Sequence, residues 1–248
     1  MNKRNRLITF LLYAHIISAS SMLFASEVFD GLVLPYREVV IGSPVETRID
    51  TLEVREGDVV KKGDLLVRLY SRLEELEVDR AEVVVEKRMF DEESASNLFK
   101  DKLISEDEAL EARIELNLAK LMLEIAEEEV ELRRLRAPID GVVVERLHEA
   151  GEMVQMSESI FVLLDLEQVY VQFYVDVKNL QNVAIGGKVE VIFPTLGSQN
   201  TRVGTIDYID PRVNAASGLS RVRLLLQNTD NYIKAGVRVS VRLLEANE

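Results

Sequence analysis

The feature that most constrains this chain is an internal repeat whose two copies stand 94 positions apart. Residues 43–46 (SPVE) align with residues 137–140 (APID), and residues 56–60 (EGDVV) align without a gap with residues 150–154 (AGEMV). Each copy predicts a strand, a glycine turn and a second strand. The chain is therefore expected to contain one short β-unit twice, with other sequence inserted between the copies.

The turns of the repeat carry Gly57, Gly63 and Gly151. Glycine adopts positive φ without strain, so these residues are predicted to form tight turns. A unit of this size cannot bury its own apolar face. The two copies, over residues 42–71 and 137–166, are therefore predicted to pack on each other as one β-sandwich.

The insert, residues 72–136, has a composition that favours helix: it contains neither Gly nor Pro, and Glu, Lys, Arg, Leu and Ala dominate. In its second half, apolar residues follow alternating spacings of four and three, broken only at Glu128. This pattern predicts a coiled-coil seam formed by Ile114, Leu118, Leu121, Ile125, Leu132 and Leu135. The first half offers a weaker partner seam of Leu73, Leu76, Val83, Val84, Phe90 and Leu98.

These two helices are predicted to form an α-helical hairpin that leaves one half of the sandwich and re-enters the other, with Pro138 ending the return helix. If the predicted seam is buried, Leu121→Asp is expected to collapse the hairpin, because it would bury an unpaired charge. The turn is predicted between residues 100 and 107. There, Ser105 and Glu108 have the spacing of a capping box at the start of the second helix.

The C-terminal region, residues 167–248, changes from helical to alternating periodicity. Val169, Val171, Phe173 and Val175 alternate with polar or aromatic residues, and residues 189–193 and 237–243 repeat the pattern. A period of two with one apolar face predicts half-buried strands. Gly, Pro and Asp residues separate the strands at short intervals, which favours a small β-barrel.

The N-terminus has the form of an export signal. Basic residues precede an apolar run, and small residues follow near Ala25. Residues 1–25 are therefore predicted to be a signal peptide or, alternatively, an uncleaved signal anchor, and either one places the rest of the chain outside the cytoplasm. Residues 26–41 are expected to form an N-terminal strand segment.

Composition excludes several classes of function. A net charge of -13 argues against a nucleic-acid partner, and the absence of cysteine excludes thiol catalysis and thiolate metal sites. His148 is isolated in the sequence, so a structural role is expected for it. Met153 and Met156 align with Val59 and Lys62, which predicts a core and a turn position rather than a metal site. We expect no catalytic residue, cofactor or metal.

Residues 54–66 (VREGDVVKKGDLL) resemble the half-motif of lipoyl and biotinyl domains. That family folds as a flattened β-sandwich of two such halves, joined in carrier domains by a hairpin that bears a modified lysine. No such acceptor tripeptide lies between the halves here, where the helical insert stands instead. A carrier domain with a structural hairpin remains an alternative interpretation.

A split half-motif, a helical insert and a C-terminal β-domain, in this order, resemble the periplasmic adaptors of the membrane fusion protein (HlyD/RND-type) family. In that family the hairpin tip carries an Arg, then a Leu four residues on, then a Ser seven beyond it. Leu98 and Ser105 occupy the last two positions, whereas Ser94 stands in place of the Arg. The resemblance implies a channel contact at the tip through Leu98, Lys102, Leu103 and Ser105.

The resemblance implies an α+β, mainly β, fold: a split lipoyl-like sandwich, an α-hairpin and a β-barrel, in a short form without a membrane-proximal domain. It implies an inner-membrane-associated periplasmic adaptor that self-associates as a trimer to hexamer. Such an adaptor links an inner-membrane transporter, RND-type by resemblance, to an outer-membrane channel without catalysis. An adaptor of an ABC efflux pump or of a type I secretion system is the other alternative.

Overall fold

A computed structural model describes residues 28–194 and 201–244, so the predicted export signal lies outside the described residues. The chain divides into two units. The first, here the sandwich unit, comprises residues 33–170 and 227–237; the second, the barrel unit, comprises the described residues of 1–32, 171–226 and 238–248.

Short strands build the sandwich, and two longer strands, β1 and β8, run on from it into the barrel unit. They are β1 (Val28–Gly42), β2 (Thr47–Leu52), β3 (Val59–Val60), β4 (Leu65–Leu69), β5 (Arg134–Arg136), β6 (Gly141–Arg146), β7 (Met153–Val154) and β8 (Ser159–Asp176). The repeat is visible in these bounds, because β2, β3 and β4 begin 94 residues before β6, β7 and β8.

The two halves of the sandwich exchange strands. Val59 of β3 pairs with Val142 of β6, and reciprocally Thr47 of β2 pairs with Val154 of β7. The β2–β4 and β6–β8 pairings also share one register, including a bulge at the same place. Each half therefore completes a sheet of the other, which confirms the prediction that the two copies pack together.

Four turns of the sandwich are closed in the same way. In each turn an acidic side chain accepts a hydrogen bond from the backbone N–H three residues earlier: Asp58 from Arg55, Asp64 from Lys61, Glu152 from Glu149 and Glu158 from Gln155. The residue before the acid has positive φ, +91° at Gly57, +95° at Gly63 and +93° at Gly151, which confirms the predicted turns. The fourth turn places Ser157 at +67°, where no glycine marked it in the sequence.

The core of the sandwich is drawn from both halves. Its buried residues include Ile49, Val60, Leu66, Leu69, Leu135, Val143, Val154, Ile160 and Leu163. The prediction that Met153 is a core residue is wrong: Met153 and its repeat partner Val59 are both exposed, while the following residues, Val60 and Val154, are buried. Alternation along a strand puts only one of two neighbours inside, and the aligned pair points outward in both halves.

The insert forms two long helices, α1 (Arg72–Lys100) and α2 (Glu106–Glu131). The return helix ends at Glu131, five residues before the predicted end at 136, because the chain enters β5 and pairs with β4. In the described part of the chain, neither these helices nor any other combines the length and the apolarity that a membrane crossing requires.

The barrel unit contains the end of β8, a short 3-10 helix (Val177–Asn182) and four further strands. These are β9 (Lys188–Ile192), β10 (Thr201–Val213), β11 (Leu219–Gln227) and β12 (Arg238–Leu243). The strand order is β1-β12-β9-β10-β11-β8, and β1 also pairs with β8, so the order closes on itself as predicted for a small barrel. Val171, Phe173, Val191 and Val241 are fully buried, which confirms the alternating pattern.

Candidate functional site

The tip of the hairpin is a tightly hydrogen-bonded turn. Helix α1 ends in a Schellman motif: the N–H of Leu103 donates to the carbonyl of Leu98 at 2.8 Å, and the N–H of Lys102 donates to Phe99 at 2.9 Å. Lys102 takes the left-handed position with φ of 60°, which glycine usually occupies. Three of the predicted contact residues thus belong to one structural motif.

Ser105 starts helix α2 through the predicted capping box, which is confirmed. Its Oγ accepts a hydrogen bond from the N–H of Glu108 at 3.2 Å, and Glu108 Oε2 accepts one from the N–H of Ser105 at 2.9 Å. The N–H and the hydroxyl of Ser105 both donate hydrogen bonds to the Glu108 carboxylate, which stabilise its ionised form and lower the pKa of Glu108. Ser105 therefore has a structural role, whatever else it contacts.

The tip presents apolar side chains to solvent. Leu103 is 69% exposed, and Leu98 and Phe99 are also exposed. The structure therefore brings the four predicted residues Leu98, Lys102, Leu103 and Ser105 into one turn. Phe99 was not among the predicted tip residues, because the family's tip spacing does not include it, although its place beside Leu98 could have marked it.

The seam predicted for α2 does not face α1. Leu118 is 52% exposed, and Ile114, Leu121, Ile125 and Leu132 are exposed as well. Leu135 is buried, but it lies in β5 and belongs to the sandwich core. The weaker seam predicted for α1 is wrong for the same reason, since its residues are all exposed: Leu73, Leu76, Val83, Val84, Phe90 and Leu98.

A second heptad stripe, offset by two residues, forms the actual interface between the helices, here the interior seam. On α2 it comprises the buried or half-buried residues Ala109, Ala112, Leu116, Ala119, Leu123, Ala126 and Val130. On α1 it comprises Glu74, Val78, Ala81, Val85, Arg88, Glu92 and Ala95. Two positions on a helix differ by about 200°, so the stripe of large apolar residues points almost directly away from the partner helix. The expected collapse of the hairpin in Leu121→Asp therefore loses its basis, because Leu121 is not in the interior seam.

Small residues and ion pairs hold the interior seam. Ala81, Ala119 and Ala126 are buried and let the helices approach closely. Farther along the rod, Arg88 of α1 contacts Glu115 of α2 at 2.6 Å. The alanines leave a groove of about 590 Å³ along one side of the hairpin, flanked by Leu73, Val84, Met122 and Ile125 among others.

The base of the hairpin is tied to the sandwich. Arg133, whose side chain is only 12% exposed, contacts Glu74 of α1 at 2.7 Å, and its carbonyl accepts a hydrogen bond from the N–H of Leu69 in β4. One residue thus joins the first turn of α1, the end of α2 and a sandwich strand. In a carrier domain the modified lysine lies on the turn that joins the two halves. In this chain the α-helical hairpin occupies that place between the halves.

Charged clusters elsewhere in the described residues have structural geometry. Asp210 accepts hydrogen bonds from Arg212 and Arg221, which lower its pKa to about 2 and keep it a fixed anion rather than a proton carrier. His148 Nδ1 lies 2.9 Å from Glu152 and Nε2 lies 3.4 Å from Glu158, and the contact with His148 lowers the pKa of Glu152. His148 is thus not isolated: it joins two turns of the second sandwich half.

No group of three or more His, Cys, Asp or Glu residues within 28–194 and 201–244 has an arrangement that would hold a metal ion. Among the described residues, the features that stand out are two surfaces of the hairpin, its tip and its apolar side. Surfaces of this kind are typical of proteins that work by contact with partners.

Two family models match the chain in succession. The model described as the CzcB-like barrel-sandwich hybrid domain matches residues 37–165, and the model described as the CusB-like beta-barrel domain matches residues 168–247. The first match alone covers more than half of the chain. The boundary between the two falls inside β8, where the sandwich unit passes into the barrel unit.

Known relatives agree with these models. The cobalt-zinc-cadmium resistance protein CzcB of Cupriavidus metallidurans is 26% identical over 216 aligned positions, which cover 80% of this chain and 41% of that protein. The nodulation protein NolF of Rhizobium meliloti is 25% identical, with coverage of 84% of this chain and 60% of NolF. This chain therefore spans less than two thirds of the length of either relative.

The fold also recurs in a solved structure. A MacA-MexA chimeric protein that contains the Pseudomonas aeruginosa MexA alpha-hairpin domain superposes with a TM-score of 0.79 at 20% identity, over 89% of this chain and 81% of that one. In this chain the sandwich, with the hairpin inserted in it, precedes the barrel, and the two family models match in that order. The chain belongs to the membrane fusion protein (RND/HlyD-type) family of adaptors, with a CzcB-like barrel-sandwich hybrid and a CusB-like β-barrel.

Proposed function

We propose that this protein is a periplasmic adaptor that links an inner-membrane transporter of the RND type to an outer-membrane channel in efflux. The observation that carries the proposal is the hairpin tip. Its turn is fixed by a Schellman motif and a capping box, yet it exposes Leu98, Phe99 and Leu103 to solvent. A rigid turn that presents apolar side chains at the end of a rod is suited to docking.

The rod supplies the reach that such a bridge needs. Helix α1 has 29 residues and therefore extends for about 44 Å at 1.5 Å per residue. Arg133 anchors its base to the sandwich, so the tip is held at a defined distance from the sandwich. We assign the tip to the channel and the β-domains to the side of the inner membrane and its transporter.

The mechanism is contact rather than catalysis. The conspicuous ionised groups, Asp210 and Glu152, are held by hydrogen bonds from neighbouring residues and are not paired as an acid and a base around a substrate. The proposed roles of the chain are to hold the transporter and the channel in line and to pass a change in one to the other through the rod.

The test is photo-crosslinking in cells that express the full chain. A probe at Leu103 on the tip is compared with probes at Met89, midway along the rod, and at Val203, an exposed residue of β10. The proposal expects an adduct between the Leu103 probe and an outer-membrane channel protein, and no such adduct from the other two probes. A Leu103 probe that crosslinks only to other periplasmic proteins, in a properly exported chain, would refute the bridging role.

A second experiment tests whether the contact matters for transport. Leu103→Asp places a charge on the exposed tip without touching the interior seam, so the rod is expected to stay folded while efflux is lost. Met89→Asp introduces the same charge on an exposed mid-rod position and is the matched control. Helicity measured by circular dichroism should be equal in both variants, and drug or metal-salt tolerance of the cells should fall only for the tip variant.

A further inference from the structure

One end of the barrel unit is formed by strand ends that are far apart in the sequence. β1 and β9 begin there, and β8, β10 and β12 end there, because neighbouring strands of the barrel run in opposite directions. The 3-10 helix after β8 and the turn between β10 and β11 lie at the same end. We call this end the N-terminal rim; it comprises Val28, residues 177–189, residues 211–220 and Leu244.

The N-terminal rim exposes large apolar side chains from each of its parts. Ile185 is 69% exposed, and four further residues are also exposed: Val28, Val177, Val213 and Leu244. A single exposed apolar residue is ordinary on a protein surface. Five of them, brought from four separate segments to one end of a barrel, indicate a contact surface.

Backbone hydrogen bonds hold this surface in place. Ile185 lies in a turn in which the N–H of Gly186 donates to the carbonyl of Ile206 at 2.8 Å. The N–H of Val177 donates to the carbonyl of Gly218 at 3.3 Å and thereby joins the 3-10 helix to the turn between β10 and β11. The rim is therefore preformed, so that little conformational entropy is lost when it binds a partner.

The rim is basic although the chain is acidic. Over the whole chain, Asp and Glu outnumber Lys and Arg by 43 to 30. Residues 177–189 and 211–220 nevertheless contain no acidic residue and three basic ones, all exposed: Lys178, Lys188 and Arg212. Arg212 pairs with Asp210. Neither lysine forms an ion pair with a carboxylate in the part of the chain that the structure describes.

We propose that the N-terminal rim lies on the surface of an anionic phospholipid bilayer, with its apolar side chains among the headgroups and its lysines beside lipid phosphates. This inference rests on the proposed function, which assigns the β-domains to the side of the inner membrane. Apolar side chains flanked by basic residues are typical of protein surfaces that lie in a membrane interface. Anionic lipids attract the basic groups and have no acidic group of these two segments to repel them.

The start of the chain favours lipid over protein as the partner. Residues 7–24 are the apolar run of the predicted signal peptide or signal anchor, and only three residues separate this run from Val28 on the rim. If the run is retained as an anchor, four steps along an extended chain reach about 14 Å from the bilayer. A folded domain of a transporter, with a radius of gyration of about 13 Å, would not fit into that space.

The first experiment measures contact between the rim and lipid in the full chain, which permits single engineered cysteines because it has none of its own. Val213→Cys on the rim and Val203→Cys, about 30 Å away near the start of the same strand, each carry a fluorophore. The vesicles contain phosphatidylcholine and phosphatidylglycerol with brominated acyl chains, which quench fluorescence on contact. The label at position 213 is expected to be quenched and the label at position 203 is not. Equal quenching at both positions, or none at position 213, would overturn the proposal.

The second experiment tests the role of charge. In a chain labelled at Val213→Cys, the pair Lys178→Glu and Lys188→Glu should reduce quenching to the value seen with vesicles of phosphatidylcholine alone, because the attraction to anionic lipid is then reversed. The matched control is Lys61→Glu with Lys62→Glu, two exposed residues of the sandwich unit, which changes the net charge by the same amount. The control should keep the quenching that phosphatidylglycerol causes. The same loss in both double variants, or in neither, would contradict the assigned surface.

The third experiment identifies the partner in cells with a photo-crosslinking probe at Ile185. The intact mass of the chain is expected to increase by that of a phospholipid. An adduct with an inner-membrane protein and none with lipid would assign the rim to the transporter and overturn the proposal. If a probe at Leu103 reaches the channel while the probe at Ile185 reaches no lipid, this inference alone is refuted. A lipid adduct at Ile185 without a channel adduct at Leu103 would support the membrane contact and refute the bridging function.

Discussion

The sandwich and the hairpin use their large apolar residues in opposite ways. In the sandwich, Ile49, Leu66 and Val143 are fully buried, so the apolar residues stabilise the unit that contains them. In the hairpin, the buried seam is rich in alanine, while most of the large apolar residues, such as Leu118 and Leu121, remain exposed. The difference indicates that the sandwich buries its own large apolar residues, whereas the hairpin leaves most of its large apolar residues uncovered by its own fold.

The two regions also differ in how far their contacts reach along the chain. Sandwich strands pair across the insert, as Val59 does with Val142 and Thr47 with Val154. The helices of the hairpin are held by local hydrogen bonds and by a narrow interface. Damage to the sandwich core should therefore affect both halves of the repeat, whereas most changes on the hairpin surface should leave its fold intact.

The largest effect is expected from the sandwich core. Leu66→Ala should lower the free energy of unfolding by about 2–5 kcal/mol, because it leaves a cavity among residues of both halves. Val59→Ala is the matched control: Val59 is 77% exposed in the same half, so its loss should change stability by less than about 0.5 kcal/mol. Urea unfolding of the two variants measures both values, and similar losses would contradict the comparison.

Within the hairpin, two leucines that are two residues apart should behave differently. Leu116 is 7% exposed in the interior seam and Leu118 is 52% exposed on the outside. Leu116→Ala should destabilise the rod by about 2 kcal/mol, and Leu118→Ala by a small fraction of that. Hydrogen exchange of the helix amides, at a concentration where the chain is monomeric, measures the difference. A larger effect for Leu118 would support the seam that was predicted from the sequence.

The capping box at the tip should contribute less to stability than a core residue does. Ser105→Ala removes the acceptor for the N–H of Glu108 and should cost about 1 kcal/mol in local stability of α2. Ser105→Asn keeps an acceptor at the N-cap and should retain most of the local stability of α2. Local hydrogen exchange at residues 106–110 reports the change. If channel crosslinking falls in both variants, Ser105 also contacts the partner directly.

Two residues with positive φ allow a matched stabilising change in each region. Ser157→Gly in the sandwich and Lys102→Gly at the tip should each raise stability by about 0.5–1 kcal/mol, since glycine relieves the strain of the left-handed conformation. The sandwich change should raise the midpoint of global unfolding. The tip change should appear only in local hydrogen exchange of the hairpin. A global effect of Lys102→Gly would mean that the two regions unfold together.

The smallest effect concerns acidity at the tip. The pKa of Glu108 lies below its usual value of about 4.5, because Ser105 donates hydrogen bonds to the ionised carboxylate. Because the pKa of Glu108 is lowered in the folded chain, the stabilisation that its ionised carboxylate gives to the start of α2 is fully present above the usual value. This stabilisation disappears as pH falls through the lower, folded pKa. Amide protection at residues 106–108 should therefore stay constant from neutral pH to about 4.5 and decline below it. In Glu108→Gln, which keeps a capping acceptor without titrating, the decline should be absent.

Much of the fold could be predicted because it is encoded locally. Gly57, Gly63 and Gly151 marked their turns, since positive φ favours the one residue without Cβ. Ser105 and Glu108 marked the start of α2, since a capping box needs only residues three apart. Ser157 escaped prediction because its turn is maintained by surrounding contacts, including its N–H bond to the carbonyl of Ser43, rather than by its own preference.

The candidate site was predicted in part. The tip residues were identified through the family resemblance, and the structure places them in one turn, but the seam was assigned to the wrong stripe. Helix α2 carries two heptad stripes, two residues apart, and the predicted seam was the stripe with the larger apolar residues. Periodicity shows that a helix has an apolar face and does not show which of two faces meets a given partner.

The split repeat, its turns, the helical insert and the alternating strands could all be predicted from the amino-acid sequence, because each follows from preferences within a few residues. The exchange of strands between the sandwich halves, and the position of the alanine stripe between the helices beside Arg88 and Glu115, became visible only in the folded chain. Packing explains why. Helices approach closely where side chains are small, and the larger apolar residues are then left on the outside, where another molecule can cover them.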